Sequence, residues 1–599
     1  MPIPTTVVNA DKVLPSSTLL PAVQIPIMED GPATYSLLSQ RFGGWSSTGV
    51  FDAETALRGA AAFFNGRGGT LVIPPGTYTI NRARIVAGPG YVSGPGGSDP
   101  GNIEWLNARG LRIVAHGARI DMFGAFHRTS QASNTPAGQA SLSNELQICP
   151  FLFRDCAGLA IHGLEIDGNV DQMTRDASVV ENQANSCLRL ESCTDVLLDG
   201  VYAHHAPSDN FRFSNNGQYS PTRPEGDPYR GVKRACRRVT ARGCRAEFAG
   251  RCNFAIIQVR GLTLLDCSDG YAGFLDAAYT TSPYGGHSPW CGIDIEPNDS
   301  ATNDPLIVDV DTGEILIVRH RTTGNLGIQF ADVISSSYHD GTTLLDCVID
   351  VGATNPSTSG YGFAFQNKRG RVINGLIQLR GRSLDAGIST TGDAAKHASV
   401  DTRYEGVDIR GTSRMITGNQ SQKIVFENCR IIGEHTAPVD HMIFNTNPRI
   451  EYRDCYIFVP AAAYDAGSGG QDVIYLYGRA VDTTFDTDFV DVATNYFNVR
   501  WTVGVSEDSR FPVGFNFRPA AGSTHDNALP YALNSTQSTT ALVLGGRFLG
   551  IAAAAPTTGT WRRGDVLFNG SPSASGFVGW VCVTAGTPGT WKTFGPISA

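Results

Sequence analysis

Residues 291–299 read Cys-Gly-Ile-Asp-Ile-Glu-Pro-Asn-Asp, and the two acids at 294 and 296 are the side chains best spaced for chemistry. An extended chain sends alternate side chains to opposite faces. Ile293 and Ile295 would then enter a core while Asp294 and Glu296 leave it together. Their Cα atoms would stand roughly 6.5–7 Å apart. Carboxyl groups about 6.5–9.5 Å apart suit glycoside hydrolysis with inversion, in which one protonates the leaving oxygen and the other activates a water. Asp276, at the start of the preceding loop, is the reserve catalytic partner if only one of the pair faces a substrate. A solvated strand face would carry the same two acids with no chemistry at all.

Such a pair needs a scaffold, and the chain supplies one by repetition. A short apolar-x-apolar element recurs at 188–190, 211–213, 254–256, 293–295, 328–330 and 363–365. A second recurring context places an acid or amide before cysteine, at Asp155-Cys156, Asp266-Cys267, Asp346-Cys347, Asn428-Cys429 and Asp454-Cys455. Between these lie other short runs of period two, such as 159–166 and 259–265. Insertions interrupt the repeat at 215–235 and 277–290, and residues 305–318 read as a hairpin around Asp311-Thr312-Gly313. No single repeat can bury its own apolar face, so the repeats must stack into a solenoid of β-strands.

The segment ahead of the repeats has a different pattern. Residues 51–64 read as a short amphipathic helix with Asp52 as N-cap, followed by a strand, a turn and a strand over 68–80. A solenoid needs a cap over its open end. This helix, followed by GGTLVIPPGTYTI, resembles the start of pectate-lyase-like right-handed parallel β-helix proteins, a family that includes phage tailspike depolymerases. The resemblance extends over roughly residues 30–460. It implies an all-β fold, a right-handed parallel β-helix with an N-terminal capping helix and small C-terminal β domains. The expected division is an N-terminal extension at 1–35, the β-helix with its cap at 36–460, a C-terminal β region at 461–540 that would serve trimerisation, and a Trp-containing module at 541–599. In that module Trp561, Trp580 and Trp591 pack a small core or meet sugar or another subunit.

If the elements stack as spaced, their middle residues form one outward column of Arg189, Arg212, Ala255, Asp294, Gln329 and Ala364. Substrate-binding residues would be Arg189, Arg212, Asp209, Gln329 and, from the flanking loop, His287 and Trp290. Arginine forks suit sugars that carry carboxylates, and an indole ring suits stacking on a sugar. The same arginines would serve equally well as partners of Glu191 and loop acids. His204 and His205, beside Tyr202, could supply the base of a lyase.

The bulk numbers fit a large turn-rich β protein: 599 residues, 68 glycines, 17% charged residues and a net charge of −9. There is no basic stripe for nucleic acid and no 18-residue apolar run for a membrane. The N-terminus lacks the pattern of a secretory signal, and thirteen cysteines in no paired spacing read as buried free thiols rather than disulfides. No Walker loop, zinc-protease motif or dinucleotide fingerprint is present. No cofactor and no metal are expected. The resemblance therefore implies a phage tailspike-like enzyme that hydrolyses a bacterial polysaccharide. It would be a homotrimer joined to phage tail or baseplate proteins, assembled in the host cytoplasm without a signal peptide and acting extracellularly on the virion tail. Two alternatives stay open on the same fold: a polysaccharide lyase using arginine with His or Tyr, and a receptor-binding adhesin without activity.

Overall fold

The computed structural model describes residues 33–81, 103–123, 126–128, 149–170, 173–175, 186–216, 224–227, 230–231, 234–274, 290–297, 312–332, 339–350, 362–365, 367, 369–379, 388–389, 401–412, 415–418, 423–436, 442–460, 474–481, 484–487, 499–501, 516–518, 541–544, 547–557 and 561–599. Within them the chain winds as a right-handed parallel β-helix. Each coil contributes a strand to each of three walls, and every wall is a ladder of parallel strands.

The first wall includes Phe151–Arg154, Leu188–Glu191, Asp209–Ser214, Cys252–Ile256, Cys291–Ile295, Phe330–Asp332 and Phe363–Phe365. The second includes Thr194–Asp199, Cys236–Arg242, Val259–Leu265, Thr312–Val318 and His339–Leu345. The third includes Tyr202–His204, Arg245–Glu247, Ser268–Gly270, Arg321–Thr323 and Val348–Asp350. The long strand Ala160–Asp167 serves the second wall with its first half and the third with its second half. Parallel pairing continues beyond residue 460 through Ile474–Val481, Thr484–Thr487, Val499–Trp501 and Asn516–Arg518.

Alternation decides what fills the coil. Leu188, Leu190, Phe211, Phe213, Phe254, Ile256, Ile293 and Ile295 are all buried in one core. Register stacks like on like: Phe211 lies on Phe254 with ring centroids 4.9 Å apart and planes 7° from parallel.

The recurring acid-cysteine context is a corner. Asp155, Asp266, Asp346, Asn428 and Asp454 all adopt left-handed backbone, with φ between 50° and 55°. Asp and Asn enter that region more readily than other non-glycine residues. The cysteine that follows turns inward and donates from Sγ to a carbonyl of the coil before, as Cys267 does to Ala241 at 3.3 Å and Cys347 to Ile317 at 3.4 Å. All thirteen cysteines are buried, and none is in a disulfide.

At the N-terminal end the helix Ala53–Phe63 closes the core. Asp52 caps it by accepting from the Thr55 amide at 3.2 Å, a type of contact worth about 0.5–2 kcal/mol. Ala53, Ala56, Leu57, Ala60 and Ala61 face inward at helical spacing. Gly59 is required there, because a Cβ would stand 2.2 Å from the Phe42 carbonyl oxygen. The C-terminal residues form a separate five-stranded sheet from Ala541–Leu544 to Thr590–Pro596, in which Trp561 and Trp591 meet edge to face at 5.1 Å.

Two expectations need correction. The element at 328–330 is displaced by two residues, since Phe330, Ala331 and Asp332 pair with Ile293, Asp294 and Ile295. Thr312 and Gly313 do not make a hairpin turn. They lie inside a strand of the second wall, paired in parallel with His339 and Asp340.

Candidate active site on the outer face of the first wall

Asp294 points away from the core, in register with Ala255 on one side and Ala331 on the other. Its side chain is nevertheless only 5% exposed. One arginine organises it. Arg251, from the corner before Cys252–Ile256, reaches Asp294 Oδ2 at 3.4 Å, Asp209 Oδ1 at 3.4 Å and Glu296 Oε2 at 3.5 Å. Since both oxygens lie within 3.5 Å of the same nitrogen, Asp294 Oδ2 and Glu296 Oε2 are at most about 7 Å apart. Glu296 is the open member of the group, with its side chain 40% exposed.

The charges explain how these acids differ. Burial pushes the Asp294 carboxyl up to about 6; Arg251 opposes the shift, and Glu296 and Asp209 add to it. Arg212 joins the group through Asp209 Oδ2 at 3.7 Å. Burial pushes Arg212 down to about 10, helped by the neighbouring Arg189. Burial also works against the charge on Arg251, but Cys252, Asp209, Asp294 and Glu296 together hold it firmly protonated. The set thus has three carboxyls against two guanidinium groups. A proton on Asp294, whose carboxyl burial raises, balances the charge.

Along the wall the pattern continues. Arg189 is tied to Glu191 at 2.5 Å, and Glu191 also meets Arg154, which reaches Glu104 at 2.7 Å. Although burial opposes it, Arg189 and Arg154 hold the Glu191 carboxyl below the usual range. Arg189 is therefore engaged by its own strand neighbour.

Beneath the acids the interior is polar. Asn210 donates to Asn253 Oδ1 at 2.8 Å, Asn253 to Asn325 Oδ1 at 3.0 Å, and Asn325 to Asp269 Oδ1 at 2.9 Å. Asp269 also meets His320 Nε2 at 2.6 Å. Asn210 accepts from the Ala206 amide and Asn325 from the Ala272 amide, at 3.1 and 2.8 Å. This ladder fixes the corner between the third and first walls, from which Asp209 and Arg251 are presented. Satisfied networks of this kind hold one geometry because each unmade bond is costly.

Gln329 belongs to that interior and does not stand on the outer face. Its amide bonds the Asn325 backbone at both ends, at 3.0 and 2.8 Å. Ala331 takes the outward place beside Asp294. Asp209 is completely buried and Trp290 is half-buried with φ 49°. Asp276 and His287 lie outside the described residues. Tyr202 donates to Glu247 at 3.0 Å, and burial pushes its hydroxyl up, away from what a base requires.

Arg251 was not among the expected site residues, though the sequence held a signal for it. Asp209-Asn210-Phe211 and Cys252-Asn253-Phe254 share the Asn-Phe pair. Aligning on that pair puts Asp209 opposite Cys252 and Arg251 beside it.

The molecule is thus a parallel β-helix with a buried, acid-rich cluster on one outer face. No protein-family profile matches the chain, and no curated protein is similar to it. Among solved structures it is similar to the tailspike protein of E. coli bacteriophage HK620 in complex with pentasaccharide, at 11% identity over 94% of this chain and 91% of that one, with a TM-score of 0.47. It is similar to the N-terminal fragment of bacteriophage Phi29 gene product 12, at 10% identity over 82% and 73% of the two chains, with a TM-score of 0.44. The A-module of the mannuronan C-5 epimerase AlgE4 of Azotobacter vinelandii gives 11% identity over 81% and 96%, with a TM-score of 0.37. Likeness at this level carries no chemistry from those proteins to this one.

Proposed function

We propose that the chain binds a bacterial surface or secreted polysaccharide along the first wall and hydrolyses it, with Asp294 as acid and Glu296 as base. The observation behind this reading is the divergence of two acids that share one arginine. Asp294 is enclosed and holds its proton to about pH 6, while Glu296 is open to solvent. Two acids whose surroundings differ in this way are suited to the two roles. Asp294 passes its proton to the glycosidic oxygen as the bond from that oxygen to the anomeric carbon breaks. Glu296 takes a proton from the water whose oxygen bonds to that carbon. Inversion of the anomeric centre follows, and proton exchange with solvent restores both acids.

Asp294→Asn and Glu296→Gln keep shape and remove the ionisable group. Each should lower turnover of the cognate polymer by about 10²–10⁴-fold while polymer binding survives. Wild-type turnover should also fall above about pH 6, where Asp294 loses its proton. Wild-type turnover in both variants would refute the assignment. A second reading has its own support: with only 5% of its side chain exposed, Asp294 would serve Arg251 structurally, and the protein would be an adhesin. Sizing the polymer after incubation separates the two, because an adhesin leaves its length unchanged.

With the enzyme reading goes an assembly of three chains on a phage tail. Ile551, Phe568, Phe577, Val578 and Val583 are exposed in the C-terminal module and favour a subunit contact there. Sedimentation of the purified protein should report a trimer, and a stable monomer would remove that part of the reading.

A further inference from the structure

The outer face of the third wall holds a second cluster, separate from the acids around Arg251. Asp167 and His204 are register partners on adjacent coils. Both point outward, because Ile166 and Ala203 between them and their neighbours enter the core. His205 follows with φ 52°, and that left-handed turn brings its ring beside that of His204, edge to face at 5.0 Å. Phe248 stacks on His205 at 4.7 Å. His204 Nδ1 consequently lies 2.7 Å from His205 Nδ1 and 3.7 Å from Asp167 Oδ1. The ligand atoms of all three residues fall within 4.8 Å of one another.

We propose that Asp167, His204 and His205 bind one divalent transition ion of the zinc, cobalt and nickel class. Two neutral imidazole nitrogens cannot face each other at 2.7 Å with two lone pairs. Either one neutral ring donates its N–H to the lone pair of the other, or a cation takes that proton's place as the two nitrogens part by about half an ångström. The surroundings favour the cation. Glu165 Oε1 stands 3.3 Å from His204 Nε2, which sets that nitrogen as the N–H donor and leaves the Nδ1 lone pair aimed at His205 and Asp167. A carboxylate behind a histidine is the usual support of a metal-bound imidazole. Two imidazoles and a carboxylate are a donor set for these ions.

Charge points the same way. Glu165 and Asp167 are both bonded by Arg119, so the group is net negative by one when the rings are neutral. Asp167 Oδ1 accepts the Asn169 amide at 2.8 Å and keeps a second lone pair. The ion would pin the coil at 160–167 to the coil at 202–205. That is the corner from which the chain enters the first wall at Asp209, four residues on.

The test uses the full chain without a polyhistidine tag, stripped with chelator and titrated with Co²⁺ and then Zn²⁺. One Co²⁺ per chain should bind with a visible d–d band, Zn²⁺ should displace it, and Zn²⁺ should raise the unfolding temperature. His205→Asn removes a ligand with a residue that accepts left-handed backbone. Asp167→Asn keeps shape and can still accept the Asn169 amide. Both should lose the band and the thermal shift. A wild-type protein with no band at millimolar Co²⁺ would overturn the proposal and leave a proton shared by the two rings. Wild-type affinity in either variant would overturn it as well, and if one variant fails to fold the other decides.

Discussion

The outer faces of the first and second walls are built from the same residue types and behave as opposites. On the second wall arginines pair with acids one coil away through two-pronged contacts. Arg238 meets Asp195 at 2.6 and 2.8 Å, and Arg319 meets Asp266 at 2.6 and 2.9 Å, all in open solvent. On the first wall Arg251 has longer contacts, 3.4–3.5 Å, spread over three acids, and is almost wholly enclosed. Of these contacts the better geometry is at the surface, where water and salt weaken it. The poorer geometry is inside, where every charge is costly and titration is displaced. Surroundings, more than residue identity, separate a surface ladder from a group of acids with divided roles.

Removing the central cation should break the comparison most sharply. Arg251→Met leaves Asp209, Asp294 and Glu296 without their shared partner. A loss of about 3–5 kcal/mol in urea unfolding is expected, as for other buried pairs stripped of one member. A loss no larger than that at a surface pair would mean that the cluster is hydrated.

Asp332 extends the contrast to the interior. It occupies an inward place between Ile295 and Phe365 and accepts from Asn367 at 3.3 Å. Burial pushes its carboxyl up to about 8, against hydrogen bonds from Thr342 and Asn367. Between about pH 4 and 8 the folded chain keeps a proton that the unfolded chain has released, so this residue lowers stability as pH rises. Asp332→Asn should therefore stabilise the protein at pH 8, on the order of a few kcal/mol, with the gain vanishing toward pH 4. Equal stabilities across that range would contradict the shift.

The smallest effect belongs to the second wall. Arg371 and Glu405 make three contacts of 2.9–3.2 Å. A double-mutant cycle on them should return only about 0.2–1 kcal/mol, declining with salt. A coupling comparable to that of Arg251 would erase the distinction between the walls.

The solenoid was legible wherever the coil interior is apolar. Leu188, Phe211, Phe254 and Ile293 alternate as an extended strand must, and they stack in the register their spacing implies. The reading slipped at 328–330 because the interior changes there. Ile328 packs among outward residues including Ala255 and Ala331, while Gln329 and Asp332 turn in toward amide partners, Asn325 and Asn367. An apolar-x-apolar search cannot follow a core that has become polar. The acids at 294 and 296 stood out through their spacing alone, whereas Arg251 and the Asp167–His204 pair did not. Their partners lie one coil away, about forty residues along the chain, and only the stacking brings them together.

The cysteine corners have a consequence for how the molecule ages. Thiols recur along the coils from Cys149 to Cys347 and again at Cys429 and Cys455, each sealed behind a left-handed turn or a strand end, with Cys582 alone in the C-terminal sheet. A peroxide or an alkylating reagent reaches such a sulfur only after its coil has opened. Coils in a solenoid touch only their neighbours, so opening can start at an end and travel. The chain thus holds an internal ruler of exposure. The order in which sulfurs are marked along it would record where the winding first comes undone, and oxidative lifetime would be set by the loosest coil rather than by the average one.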